Sequence, residues 1–120
     1  VLTALIGLFS SRGQKIVDPI QTDVTGFEGG IMTFSCIFRD GGSSPDLFWY
    51  IQRHNSVPRF ILRRDTYSYG DNGTEFNQRF YSKLNNSASS VPLTIQNLQV
   101  SDSAVYYCAL RPTVHLHIQQ

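Results

Sequence analysis

The chain has 120 residues, 41% of them hydrophobic and 16% charged, and its ten Lys and Arg against nine Asp and Glu leave a net charge of +1. That length allows one domain with one core. The composition is that of a chain that folds, and the near-neutral charge sets up no field for phosphate backbones or anionic lipid, so no nucleic-acid partner is expected.

The stretch from Val1 to Phe9 is apolar but far shorter than the about 20 residues that a bilayer-spanning helix needs. Ser11 and Gly13 follow it in the small-x-small arrangement that signal peptidase reads, so residues 1–13 are expected to be a partial secretory leader. Export would put the only two cysteines, Cys36 and Cys108, in an oxidising compartment, where a disulfide between them persists. No later run approaches membrane length, so this chain is expected to contain no membrane span. From Gln14 onward, short alternating segments are bounded by Gly, Pro, Asn, Asp and Ser clusters, and no run has helical apolar periodicity, which predicts an all-β fold. The first strand, Ile16 to Val24, is broken by Pro19, which cannot donate to a ladder and belongs on an edge or at a strand switch. Ile31 to Phe38 alternates with Met32, Phe34, Cys36 and Phe38 on one face. Further strands are expected at Leu47 to Gln52, Phe60 to Leu62, Phe76 to Leu84, Val91 to Leu98 and Ala104 to Leu110.

Cys36, Trp49 and Cys108 stand among these strands in the Cys…Trp…Cys order of an immunoglobulin-type sandwich, where a disulfide staples two sheets and the indole packs on it. Tyr106, two residues before the second cysteine, fits a tyrosine corner, whose hydroxyl bonds back to the preceding turn. More specifically, Leu47-Phe48-Trp49-Tyr50-Ile51-Gln52, Arg79-Phe80, Leu93-Thr94-Ile95 and Ser101-Asp102-Ser103-Ala104-Val105-Tyr106-Tyr107-Cys108-Ala109-Leu110 resemble a T-cell receptor variable domain, and the Cys-Ala-Leu ending favours an alpha or delta chain. The resemblance covers residues 14–111. It implies a V-type two-sheet sandwich of Greek-key topology and an ion pair between Arg79 and Asp102 across two turns at the bottom of the sandwich.

One face of each sheet should be solvated and polar. If Trp49 and Cys108 point inward, however, Phe48, Tyr50 and Gln52 on one strand and Val105, Tyr107 and Ala109 on its neighbour point outward as a single aromatic patch, which marks an interface. The resemblance implies that Phe48, Tyr50, Gln52 and Tyr107 pair with a second variable domain, of beta type. Three loops then form a ligand-reading end: Arg39, Asp40, Ser43, Ser44 and Asp46 in the first, Arg63, Arg64, Asp65, Tyr67 and Tyr69 in the second, and Leu110 and Arg111 opening the third. Arg and Tyr give large contact area with directed hydrogen bonds. Two glycosylation sequons begin at Asn72 and Asn85. Asn72 is expected close to the second loop and Asn85 at the end of the sandwich away from the ligand loops.

No catalytic motif is present, and His54, His115 and His117 stand beside no nucleophile, so neither enzyme activity, a cofactor nor a metal is expected. The resemblance also implies a final joining strand containing Phe-Gly-x-Gly, which is missing or degenerate here. Pro112-Thr113-Val114 instead reads as a translated recombination heptamer, so residues 112–120 are expected to be read-through past an unrearranged germline V segment. The resemblance thus implies an antigen-recognition domain that reads peptide on a histocompatibility molecule, on the extracellular side of the plasma membrane, through constant and transmembrane regions outside this chain. The V-set ectodomain of an innate inhibitory or activating receptor and a cell-adhesion V domain are the alternatives.

Overall fold

Alternation of apolar side chains with a period of two organises the molecule into strands with one buried face each. In the computed structural model, which describes residues 1–8, 17–39, 45–85 and 87–111, these strands are β1 (Leu2–Leu8), β2 (Val17–Pro19), β3 (Asp23–Gly26), β4 (Met32–Phe38), β5 (Asp46–Gln52), β6 (Arg59–Arg64), β7 (Phe80–Tyr81), β8 (Ser90–Ile95) and β9 (Ala104–Arg111). Among the described residues there is no α-helix, only single 3-10 turns at Thr74–Phe76 and Val100–Asp102. The strands form two sheets, ordered β3-β1-β9-β5-β6 and β2-β4-β8-β7. The all-β expectation therefore holds, as a two-sheet sandwich.

The core lies between the sheets. Met32, Phe34 and Cys36 of β4 face Leu47, Trp49 and Ile51 of β5 and Tyr106 and Cys108 of β9, all buried. Phe34 packs edge-on against Trp49, with ring centroids 5.4 Å apart, and tilted against Tyr106 at 5.0 Å. Burying each such side chain contributes about 1.5–3 kcal/mol. The Cys36–Cys108 disulfide joins β4 of one sheet to β9 of the other across a Cα–Cα distance of 6.6 Å. Because it closes a loop of 72 residues, it contributes about 4 kcal/mol on the chain-entropy account.

Pro19 does mark a strand switch. It sits opposite Cys36 at the end of β2 in the four-stranded sheet, and after the Ile20 N–H donates to the Ser35 carbonyl the chain crosses to β3 in the other sheet. The expected strand from Phe76 to Leu84 shrinks to Phe80–Tyr81. Phe76 reaches the core from a 3-10 turn instead, edge-on to Phe80 at 5.0 Å, and the polar Asn77-Gln78-Arg79 that follows offers no alternating face to a sheet.

Residues Leu2–Leu8, read from the sequence as part of a leader, form a strand here. β1 lies between β3 and β9, antiparallel to the first and parallel to the second, with Ile6 opposite Tyr106 and Leu8 opposite Cys108. Leu2, Ala4 and Ile6 enter the core. The remainder of the leader reading and the whole read-through tail, residues 9–13 and 112–120, lie outside the described residues.

Candidate pairing face and ligand-reading end

β5, β6 and β9 carry the outward face that the sequence marked. Phe48, Tyr50 and Gln52 of β5 are half-buried, as are Val105, Tyr107 and Ala109 of β9, while the alternate residues Leu47, Trp49, Ile51, Tyr106 and Cys108 are inside. Phe48 and Tyr50 stack at 6.3 Å, and Phe60 of β6 closes a triangle at 6.5 and 6.1 Å from them. At the lower edge of the face, the Tyr107 hydroxyl donates to Gln52 Oε1 at 3.1 Å, and Gln52 Nε2 donates to the Ser56 carbonyl at 3.1 Å. The amide is thus oriented by two internal bonds. Sequence reasoning had omitted Phe60 from this face. It faces outward because it pairs with Tyr50 across a register shift that leaves both Ile61 and Leu62 buried, and two consecutive buried residues hide the alternation.

Asp46 opens β5 at the upper end, where β6 and β9 finish. Two cations converge on it: Arg111 Nη2 donates to Oδ2 at 2.7 Å and Arg63 Nη1 to Oδ1 at 3.4 Å. The guanidinium of Arg111 also lies 5.2 Å from the Phe48 ring centroid, a cation–π contact linking the loop end to the pairing face. Two arginines on one carboxylate leave a surplus positive charge there. Leu110 beside them is half-buried. Arg39 is exposed and pairs with Asp18 at 2.9 Å. Asp40, Ser43 and Ser44 lie outside the described residues.

The second loop is a tight turn built on Asp65. Its Oδ1 accepts from the backbone N–H groups of Tyr67 and Tyr69, both at 2.9 Å, and its own N–H donates to the Tyr69 carbonyl at 2.8 Å. Tyr67 and Tyr69 are thereby held outward, 74% and 73% exposed. Gly70 closes the turn at φ +155°, and a Cβ there would stand 1.9 Å from the Arg63 carbonyl oxygen, so no other residue fits without moving the backbone. Arg64 corrects the sequence expectation. It is buried and donates to the carbonyls of Arg63, Gly70 and Ser82 and to Asn72 Oδ1, at 2.8, 3.2, 3.0 and 2.8 Å. Burial pulls its pKa below the usual guanidinium value, and its role is to tie the base of the loop rather than to meet a ligand. Its neighbour Arg63 takes the outward direction because it pairs with the outward Phe48, while Arg64 pairs with the buried Leu47.

At the lower end, Arg79 and Asp102 form a two-pronged pair, Nη1 to Oδ2 at 2.8 Å and Nη2 to Oδ1 at 3.1 Å. The Asp102 side chain is 1% exposed, and its Oδ2 also accepts from the Gln99 N–H at 2.8 Å. Arg79 Nη1 reaches the carbonyls of Gln96 and Asn97 as well, at 3.1 and 3.2 Å. The hydrogen bonds to Asp102 raise the Arg79 pKa against the opposing effect of burial. The Tyr106 hydroxyl donates to the Asp102 carbonyl at 2.5 Å, and burial, reinforced by the Asp102 charge, pushes its phenol well above the ordinary tyrosine range.

The two sequons differ. Asn72 is half-buried, and its Nδ2 donates to the carbonyls of Phe76 and Phe80 at 2.7 and 2.8 Å while its Oδ1 accepts from Arg64. Asn85 is exposed in the turn before β8, its Oδ1 accepting from the Ala88 N–H at 3.1 Å. Its expected position is corrected: Ser90 pairs with Ile37, and the Phe38 N–H donates to the Ser89 carbonyl. The Asn85 turn therefore lies where β4 ends and the first ligand loop begins. The topology decides this, because β8 starts at the end where its antiparallel partner β4 finishes.

No cluster of three metal-ligating side chains occurs among the described residues, and no described helix is long and apolar enough to cross a membrane. His54 is exposed, and His115 and His117 fall outside the described residues.

Comparisons with known proteins agree with this geometry. The Immunoglobulin V-set domain family matches residues 21–120. The chain is 37% identical to the T-cell receptor alpha chain V region CTL-F3 of Mus musculus, over 92% of this chain and 79% of that one. It is 35% identical to the human T cell receptor alpha variable 3, over 92% and 93% of the two chains, and 37% identical to the human T cell receptor alpha variable 1-1, over 84% and 86%. A two-sheet sandwich with a Cys36–Cys108 staple, matched over most of its length by these relatives, belongs to the immunoglobulin V-set family as a T-cell receptor alpha variable domain.

Proposed function

We propose that this antigen-receptor domain pairs with a beta-type variable domain through the outer face of β5, β6 and β9 and, so paired, reads peptide held by a histocompatibility molecule with its upper end. The observation that carries the pairing is the aromatic triangle Phe48, Tyr50 and Phe60 with Gln52 pre-oriented beside it. Such a surface leaves ring area in water that a second sheet face would cover, and its one amide is positioned to accept and donate across an interface. The ligand-reading role is supported by the exposed Tyr67 and Tyr69 on a rigid turn and by the surplus charge at Arg63 and Arg111. These are contact residues of low ordering cost, two-torsion aromatics and arginines already held in place. The domain would work on the extracellular side of the plasma membrane.

The substitution Tyr50→Glu tests the pairing. It puts a charge into the triangle without touching the core, so thermal unfolding should be nearly unchanged while co-purification with a beta-type variable domain is lost. Normal pairing by that variant would remove the face from consideration.

A further inference from the structure

We propose that Asn72 is a site of spontaneous covalent change: with Gly73 it closes to a cyclic imide whenever this corner of the sandwich opens, and the folded contacts of the pair hold that reaction off. Two separate demands of the fold bring these residues together. Position 72 must donate and accept at once, because its Nδ2 gives to the Phe76 and Phe80 carbonyls at 2.7 and 2.8 Å while its Oδ1 takes from Arg64 Nη2 at 2.8 Å. Among short side chains only the asparagine amide does both in this way. Position 73 must lack a Cβ. Its backbone, at φ −60° and ψ 151°, is one that any residue adopts, but a Cβ there would stand 2.7 Å from the Phe60 carbonyl oxygen and 3.3 Å from the Phe76 ring. The fold thereby sets a side-chain amide directly before a peptide nitrogen that no side chain shields, which is the dipeptide most prone to this closure.

In the reaction the Gly73 nitrogen gives up its proton and attacks Cγ of Asn72. A C–N bond forms, the Cγ–Nδ2 bond breaks, and Nδ2 leaves with the proton as ammonia. Water then opens the imide at either carbonyl and leaves aspartate or, with the main chain rerouted through Cγ, isoaspartate. Each step is blocked in the folded chain. The Gly73 N–H donates to the Ile61 carbonyl at 2.6 Å, so this nitrogen keeps its proton and its direction, and three hydrogen bonds fix the amide that it would attack. A bridge between Leu62 and Asn72 holds the backbone on the other side. Conversion must therefore follow the population in which this corner is open. The product does not restore the site: a carboxylate has no hydrogen to offer the Phe76 and Phe80 carbonyls, and isoaspartate displaces Gly73 from Ile61. One opening is recorded in the covalent structure and makes the next one easier.

The test uses the whole chain, made without glycosylation, in weakly alkaline buffer with and without denaturing urea, and mass spectrometry of its peptides follows amide-to-acid conversion at Asn72. Conversion should be rapid in urea and at least about tenfold slower in buffer, in proportion to the open fraction. Arg64→Lys, which keeps the charge and loses the guanidinium fork, should convert in buffer faster than the parent. Converted chain, purified and returned to buffer, should unfold at a lower urea concentration than unconverted chain. Equal rates with and without urea overturn the proposal, as does an Asn72 that stays an amide in urea. A folded Arg64→Lys variant that converts no faster than the parent, or a converted chain as stable as the parent, overturns it as well. The comparison in urea is made on the parent chain and decides the matter even where the variant does not fold.

Discussion

The two ends of the sandwich each hold arginine against aspartate, and they use the pair differently. At the lower end Arg79 meets Asp102 with both nitrogens, the carboxylate is 1% exposed, and three backbone groups complete the network. At the upper end Asp46, 22% exposed, is shared by Arg63 and by an Arg111 that is 65% exposed. Where water is excluded, the Asp102 carboxylate without its partner would be stranded, so the pair matters to the fold. Where water reaches, the pair adds little stability, and its surplus cation stays available to something outside. The same chemistry holds a turn together at one end and presents a charge at the other.

Breaking the buried pair should have the largest effect. Asp102→Ala leaves Arg79 and the Gln99 N–H without their acceptor and is expected to cost about 3–5 kcal/mol, read as a fall in the urea midpoint. Next comes Asn72→Ala, which removes three internal hydrogen bonds at about 1 kcal/mol each. For the same reason a glycan on Asn72 Nδ2 conflicts with the folded state, and intact mass of the secreted protein should show sugar at Asn85 and none at Asn72. Asn85→Ala, by contrast, should change stability by less than about 0.5 kcal/mol.

Tyr106→Phe follows at about 1 kcal/mol near neutral pH, and its pH dependence sharpens the picture of a dry lower end. The phenol titrates near 10.0 when unfolded and higher when folded, so the native state holds the proton more tightly. Stability is unaffected below that unfolded value and falls as pH rises past it toward the folded one. Denaturation midpoints measured up the alkaline range should decline for the parent chain and more gently for Tyr106→Phe. Asp46→Asn should also be mild in stability, within about 1 kcal/mol. Its consequence is electrostatic: Arg63 and Arg111 lose their shared counter-charge, and binding of an acidic partner should become more salt-sensitive.

Local pattern carried much of this. In β4, β5 and β9 the period-two alternation assigns each residue its side correctly, because both neighbours of those strands and the core demand the same register. Cys36, Trp49, Tyr106 and Cys108 were legible for the same reason. What local pattern could not carry was register between distant strands. Arg64 reads as another loop cation until Gly70 and Ser82 are brought around it. Local pattern puts Asn85 at the wrong end, because nothing near it in the chain says where β4 stops. Leu2–Leu8 is a plain apolar run, and hydropathy contains no information about its pairing with β3 and β9.

The Arg64 and Gly70 closure has a practical side. Four hydrogen bonds from one guanidinium and a backbone approach that only glycine tolerates fasten both stems of the second loop. Within the five residues between them, Asp65 holds the turn and Ser68 Oγ accepts from the Leu84 N–H at 3.0 Å, so the positions that can be rewritten without asking the framework to refold are the outward Tyr67 and Tyr69.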